Sequence, residues 1–168
     1  MIDRKIYELG YRIDSMHYKI DSIELAKKVC KNLELTFIDF CETKICGILY
    51  KSEKTTSMAL NTRRSAIGKN FDCMHELIHY WFHEPEEFFC RADVYNHMEW
   101  QANEGAAQFL MPHQSFAPNY RYLSKKLGKI YSGERLDSKL VEHLSIKYFV
   151  GELAVRYRIN TLMQMGAL

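Results

Sequence analysis

Within NFDCMHELIHYWFH (residues 70–83), two histidines stand four apart and a glutamate directly follows the first. On a helix, His75 and His79 share a face, with Cβ atoms roughly 5–6 Å apart. Both imidazoles can then reach one ion at about 2.0–2.1 Å. Glu76 lies about 100° further round the helix and cannot join them on the ion, but it can reach a water beside it. The spacing thus supplies two ligands and an adjacent general base. The plainer alternative is a helix that happens to be rich in histidine, since the chain has seven. The helix is expected over 72–83, with Asp72 as N-cap and Pro85 as the stop signal.

A catalytic zinc centre takes three protein ligands and leaves a fourth position open. The long form HExxHxxGxxH does not supply the third, because Phe82 occupies its glycine slot and Pro85 its last histidine slot. The other usual source is a glutamate on a downstream helix, and Glu99, in EWQANEGAAQFLMP, lies 20 residues beyond His79. Asn103 sits one turn after Glu99 on the same face, placed to hydrogen-bond the outer nitrogen of a ligand histidine. Taken singly, a solvated carboxylate and a polar helix residue are the better explanations of Glu99 and Asn103. His83 extends the series to HExxHxxxH and competes for the third place, although three ligands from one helix fit a tetrahedron poorly. His97 points elsewhere on a helical reading, toward the surface.

The rest of the chain indicates what could surround such a helix. Its 168 residues, 47% hydrophobic and 13% aromatic, can bury a core and are expected to form one domain. A net charge of +2 leaves no nucleic-acid footprint. There is no run of 18 apolar residues, and MIDRKIYELGYRID lacks the apolar stretch of a signal peptide. A cytoplasmic location without membrane partners is therefore expected. Cys30, Cys41, Cys46, Cys73 and Cys90, odd in number and scattered, read as free thiols.

Asp21 and Glu24 form a capping-box pattern that opens a helix over DSIELAKKVCKNLEL. LTFIDF, ICGILY and TSMALN (35–40, 45–50 and 56–61) read as a small antiparallel meander, and an edge strand of its 45–61 part could hold a peptide backbone. HMEWQANEGAAQFLMP reads as a second helix closed by Pro112. Residues 113–135, with Pro118, Gly128 and Gly133, read as a looser stretch, followed by helices over 136–148 and 152–164 hinged near Gly151. Short strands among helices, without regular alternation, make the class α+β, a small antiparallel sheet packed against helices.

HELIH at 75–79, followed by E-W-Q-A-N-x-x-A-A-x-x-L-M-P at 99–112, resembles the ImmA/IrrE family of metallopeptidases. GILYKSEKTTSMALN (47–61) is similar to the family's strand segment before the motif. LSIKYFVGELAVRYRINTLMQMG (144–166) is similar to its closing helix pair, with Val150, Arg158 and Leu162 on matching positions. The likeness spans roughly residues 21–166. It departs at Ile78, where the family usually has glycine, at Gly105 in place of phenylalanine, and at Gly151 in place of serine. KNFDCM follows the family's lead-in only loosely.

The resemblance implies one metallopeptidase domain over 1–168. A zincin-like core with the active-site helix would cover about 21–135, and a C-terminal helix-turn-helix-like pair 136–168. It implies Zn2+ held by His75, His79 and Glu99, with Glu76 as the catalytic base and Asn103 behind a ligand histidine. It further implies an endopeptidase whose protein substrate is an Xre-type helix-turn-helix repressor of a prophage or mobile element. His113, Tyr120, Tyr122 and His143 are all candidate transition-state donors, and the sequence does not choose among them. Arg156 and Arg158 on the last helix are too few, in a nearly neutral chain, to indicate direct DNA binding. The rival expectation is a non-catalytic regulator, stapled by zinc, that binds a repressor or DNA. Glu76 weighs against it, because a structural site needs ligands but no base.

Overall fold

The computed structural model describes residues 1–41, 45–83, 87–91 and 97–168, with 87–91 described by backbone alone. The expected stop at Pro85 and the thiol of Cys90 lie outside the described residues. The chain forms two compact units, one of Asp21–Ala106 and one of Met1–Ile20 with Ala107–Leu168.

In the first unit, α2 (Ser22–Val29) follows α1 (Ile2–Glu8) of the other unit in chain order. Asp21 is its N-cap, and the carboxylate accepts the backbone N–H groups of Ile23 and Glu24 at 3.0 and 3.1 Å. Such a cap contributes about 1 kcal/mol. Strands β1 (Leu33–Ile38), β2 (Ile45–Lys51), β3 (Thr56–Asn61) and β4 (Glu87–Arg91) form one sheet in the order β1-β3-β2-β4. β2 pairs antiparallel with β3 and with β4, as a small antiparallel sheet would. β1, however, lies parallel to β3, Leu33 opposite Thr56 and Ile38 opposite Asn61, so the three early strands are not a meander. β2 and β3 each have partners on both sides. Neither is therefore the edge expected to hold a peptide, and the outer strands are β1 and β4.

The alternation of β3 turns Thr56, Met58 and Leu60 inward. Helix α3 (Ala66–Phe82) covers this face, packing on β2 and β3 and burying Cys73, Met74, Leu77 and Ile78. It starts six residues before the expected cap. Ser65 takes the N-cap and accepts the Gly68 N–H at 3.1 Å. Asp72 lies inside the helix, where its two oxygens accept Arg64 Nε and Nη2 at 2.8 and 3.0 Å. A carboxylate with a guanidinium partner has no need of the backbone donors a cap would supply. α4 (His97–Leu110) ends two residues before Pro112, the expected stop, and the division between the units falls within it.

The second unit is helical: α1, the end of α4, α5 (His113–Leu127), α6 (Gly133–Tyr148) and α7 (Glu152–Gln164). Its core includes Ile6, Phe109, Phe116, Leu144, Tyr148, Val155 and Leu162. The stretch expected to be loose is helix α5, which continues through Pro118. Asn119 helps to hold that turn: its Nδ2 donates to the Ser115 carbonyl and to Tyr148 Oη, each at 2.9 Å. α6 and α7 match the expected pair and meet at Phe149, in left-handed conformation, and Gly151, the N-cap of α7. Buried Arg158 donates from Nε to the Met111 carbonyl at 3.0 Å. Among the described residues no helix is long and apolar enough to cross a membrane. Cys30, Cys41, Cys46 and Cys73 are free thiols, as expected.

Candidate metal centre

One turn of α3 separates His75 from His79, and their Nε2 atoms face each other at 3.0 Å. Glu99, in the first turn of α4, closes the triangle. Its Oε2 is 3.1 Å from His75 Nε2 and its Oε1 3.2 Å from His79 Nε2. All three side chains are buried. Two imidazole nitrogens and a carboxylate oxygen are the donor set of a borderline divalent cation such as zinc. A tetrahedron with arms of about 2.0–2.1 Å sets its donors about 3.3 Å apart. The observed separations of 3.0, 3.1 and 3.2 Å fall within a few tenths of that edge.

The outer nitrogens are also occupied. His75 Nδ1 donates to Asn103 Oδ1 at 3.0 Å, so Asn103 holds the place behind a ring that its spacing suggested. Behind His79 stands His83, with Nδ1 2.7 Å from His79 Nδ1. His83 therefore meets the ring edge opposite the cluster, and among the described residues the group that could hold a metal consists of His75, His79 and Glu99. His97 is exposed, as expected, and stacks on Trp100. His113, Tyr120, Tyr122 and His143 all belong to the second unit.

Electrostatics favour the ligating forms. Burial alone would push the Glu99 carboxyl up, but its contacts with the His75 and His79 rings outweigh it and bring it down to about 2. Burial lowers His79, favouring the neutral imidazole that a cation requires. Burial, then repulsion from Glu99 and Asp72, holds Glu76 well above the usual carboxylate range.

Glu76 is wholly buried, and neither of its oxygens has a hydrogen-bond partner among the described residues. A carboxylate so placed costs several kcal/mol unless a cation or a polar ligand meets it. Space for it comes from β2, where a Cβ on Gly47 would stand 2.8 Å from Glu76 Oε1 and 3.3 Å from the Ala59 carbonyl. The residue facing Glu76 was not legible in the sequence, because it depends on which strand α3 covers. The fit is good. Three converging donors, a neutral imidazole and an unpartnered carboxylate suit a divalent ion and its solvent.

A helix bearing two facing imidazoles, completed by a carboxylate from the next helix and backed by a mixed sheet, places the chain among HExxH-type metallopeptidases. The family model described as the IrrE N-terminal-like domain, Peptidase_M78, matches residues 30–160, and the chain belongs to that family. No curated protein matches the chain.

Proposed function

We propose that the protein is a zinc-dependent endopeptidase acting in the cytoplasm on a helix-turn-helix repressor of the Xre type. The supporting observation is Glu76, a buried carboxylate with no hydrogen-bond partner among the described residues, beside the three-donor cluster. His75, His79 and Glu99 hold the ion, and Asn103 fixes the His75 ring. Zinc bound there supplies Lewis acidity toward the scissile carbonyl and the attacking water. Glu76 takes the proton of that water as it attacks and delivers it to the leaving amide nitrogen. Burial holds the Glu76 carboxyl above the usual carboxylate range, which makes it the stronger proton acceptor. The substrate class rests on the likeness to the ImmA/IrrE pattern at 75–79 and 99–112.

The test is to incubate zinc-loaded protein with the repressor encoded beside its gene, in parallel with Glu76→Gln. Fragments from the wild type alone support the peptidase. A repressor inactivated equally by both proteins, without fragments, supports a zinc-stapled binding protein instead.

A further inference from the structure

We propose that His83, locked by Gln101, is a positioning residue that fixes which nitrogen of His79 is offered to the metal; this rests on the metal-centre reading above. His79 has a contact at each ring nitrogen. Nε2 faces His75 and Glu99, and Nδ1 lies 2.7 Å from His83 Nδ1. A nitrogen–nitrogen contact that short is a hydrogen bond only when one atom carries a proton and the other a lone pair. If His83 were the donor, the proton of neutral His79 would sit on Nε2, inside the cluster, and the ring could not ligate.

The far side of His83 decides the direction. Its Nε2 is 3.3 Å from Gln101 Oε1, and an amide oxygen only accepts. At the other end of the amide, Gln101 Nε2 donates to His97 Nε2 at 2.9 Å. A neutral His83 therefore carries its proton on Nε2 and accepts at Nδ1. His79 donates from Nδ1 and keeps the Nε2 lone pair for the ion. Every donor in the chain from His79 through His83 and Gln101 to His97 points outward. His83 is also held by its backbone, since its N–H donates to the His79 carbonyl at 3.1 Å as the C-cap of α3. This gives the HExxHxxxH series a role other than ligation: the third histidine selects the tautomer of the second. Partners of this kind usually strengthen metal binding by about 10–100-fold.

The experiment measures zinc affinity by competition with a chromophoric chelator, and the visible absorption of the cobalt(II)-substituted protein. Wild type, His83→Leu, His83→Asn, Gln101→Met and His79→Leu are compared. His83→Leu is expected to weaken zinc binding by about 10–100-fold and to alter the cobalt bands. His83→Asn, whose amide oxygen can accept near the Nδ1 position, should recover most of the loss. Gln101→Met, at an exposed position, should give a smaller loss in the same direction and decides the matter if His83→Leu does not fold. Wild-type affinity and an unchanged cobalt spectrum in the folded His83 and Gln101 variants would overturn the positioning role. If wild type and His79→Leu bind zinc equally poorly, the metal-centre reading fails first.

Discussion

A single methyl group added at Gly47 would meet the carboxylate proposed as the base. Its Cβ would stand 2.8 Å from Glu76 Oε1, and the Ala59 carbonyl at 3.3 Å prevents the strand from retreating. Gly47→Ala should therefore displace Glu76 while leaving His75, His79 and Glu99 in place. Peptidase activity is expected to fall by about 100-fold, the usual effect of a misplacement near 1 Å. Overpacking should also cost about 1–3 kcal/mol of stability. Zinc affinity, followed by chelator competition, should stay close to wild type; a large drop in it would mean that Gly47 supports the ligands instead. At this scale the sequence was informative where chemistry is local. The four-residue period alone put His75 and His79 on one face, and the 99–112 pattern supplied Glu99 and Asn103. Gly47 and the cap at Ser65 were hidden because each depends on a partner distant in the chain or on a competing ion pair, here Arg64 with Asp72.

Between elements, the two departures from the family pattern meet each other. Ile78 on α3 stands where the family usually has glycine, and Gly105 on α4 where it has phenylalanine. A Cβ on Gly105 would lie 3.0 Å from Ile78 Cγ2 and 3.2 Å from Ile78 Cγ1. Ile78 fills the space that a side chain at position 105 would need, so the two positions are coupled across one contact. Ile78→Ala should cost about 2–5 kcal/mol by leaving a cavity. Gly105→Ala sets a helix-propensity gain of about 1 kcal/mol against the clash. In the double variant the methyl group enters the vacated space. Urea denaturation of all four proteins should show a coupling of about 0.5–3 kcal/mol, the pair being more stable than the sum of its parts. Additive values would mean that the helices shift independently of this contact. The existence of the elements was legible from hydrophobic period and caps, but their pairing was not. The parallel β1–β3 ladder joins residues more than twenty positions apart, and nothing local in LTFIDF marks that choice. Helix α5 was not legible because Pro118, Gly128 and Gly133 mark 113–135 as a looser stretch, whereas Asn119 hydrogen bonds back to Ser115 and to Tyr148.

For the whole molecule, each compact unit buries an acid that stays neutral well into the alkaline range. Burial pushes the Cys30 thiol, in the unit of Asp21–Ala106, from 9.0 up to about 12, against a lowering by Lys51. In the other unit burial pushes the Tyr148 phenol from 10.0 up to about 12, although Ser115 and Asn119 hydrogen-bond to it. The buried Tyr18 phenol, which donates to the Phe109 carbonyl at 2.6 Å, is raised as well. In every case the unfolded chain loses its proton first as pH rises. The stability that Cys30 and Tyr148 contribute is complete below the unfolded values, near 9.0 for the thiol and 10.0 for the phenol, and is lost as pH climbs through about 12. Tyr148 alone should account for about 2–3 kcal/mol of that loss, at about 1.4 kcal/mol for each pH unit between its two values. The urea midpoint should thus be flat from neutrality to about pH 9 and fall steadily above it. Tyr148→Phe should begin lower, because Ser115 and Asn119 lose a partner at about 1–2 kcal/mol. Its decline above pH 10.0 should nevertheless be shallower than that of the wild type. A Tyr148→Phe curve parallel to the wild type through that range would show that the phenol ionises as easily in the folded protein as in the unfolded chain. The buried network around it would then be open to water.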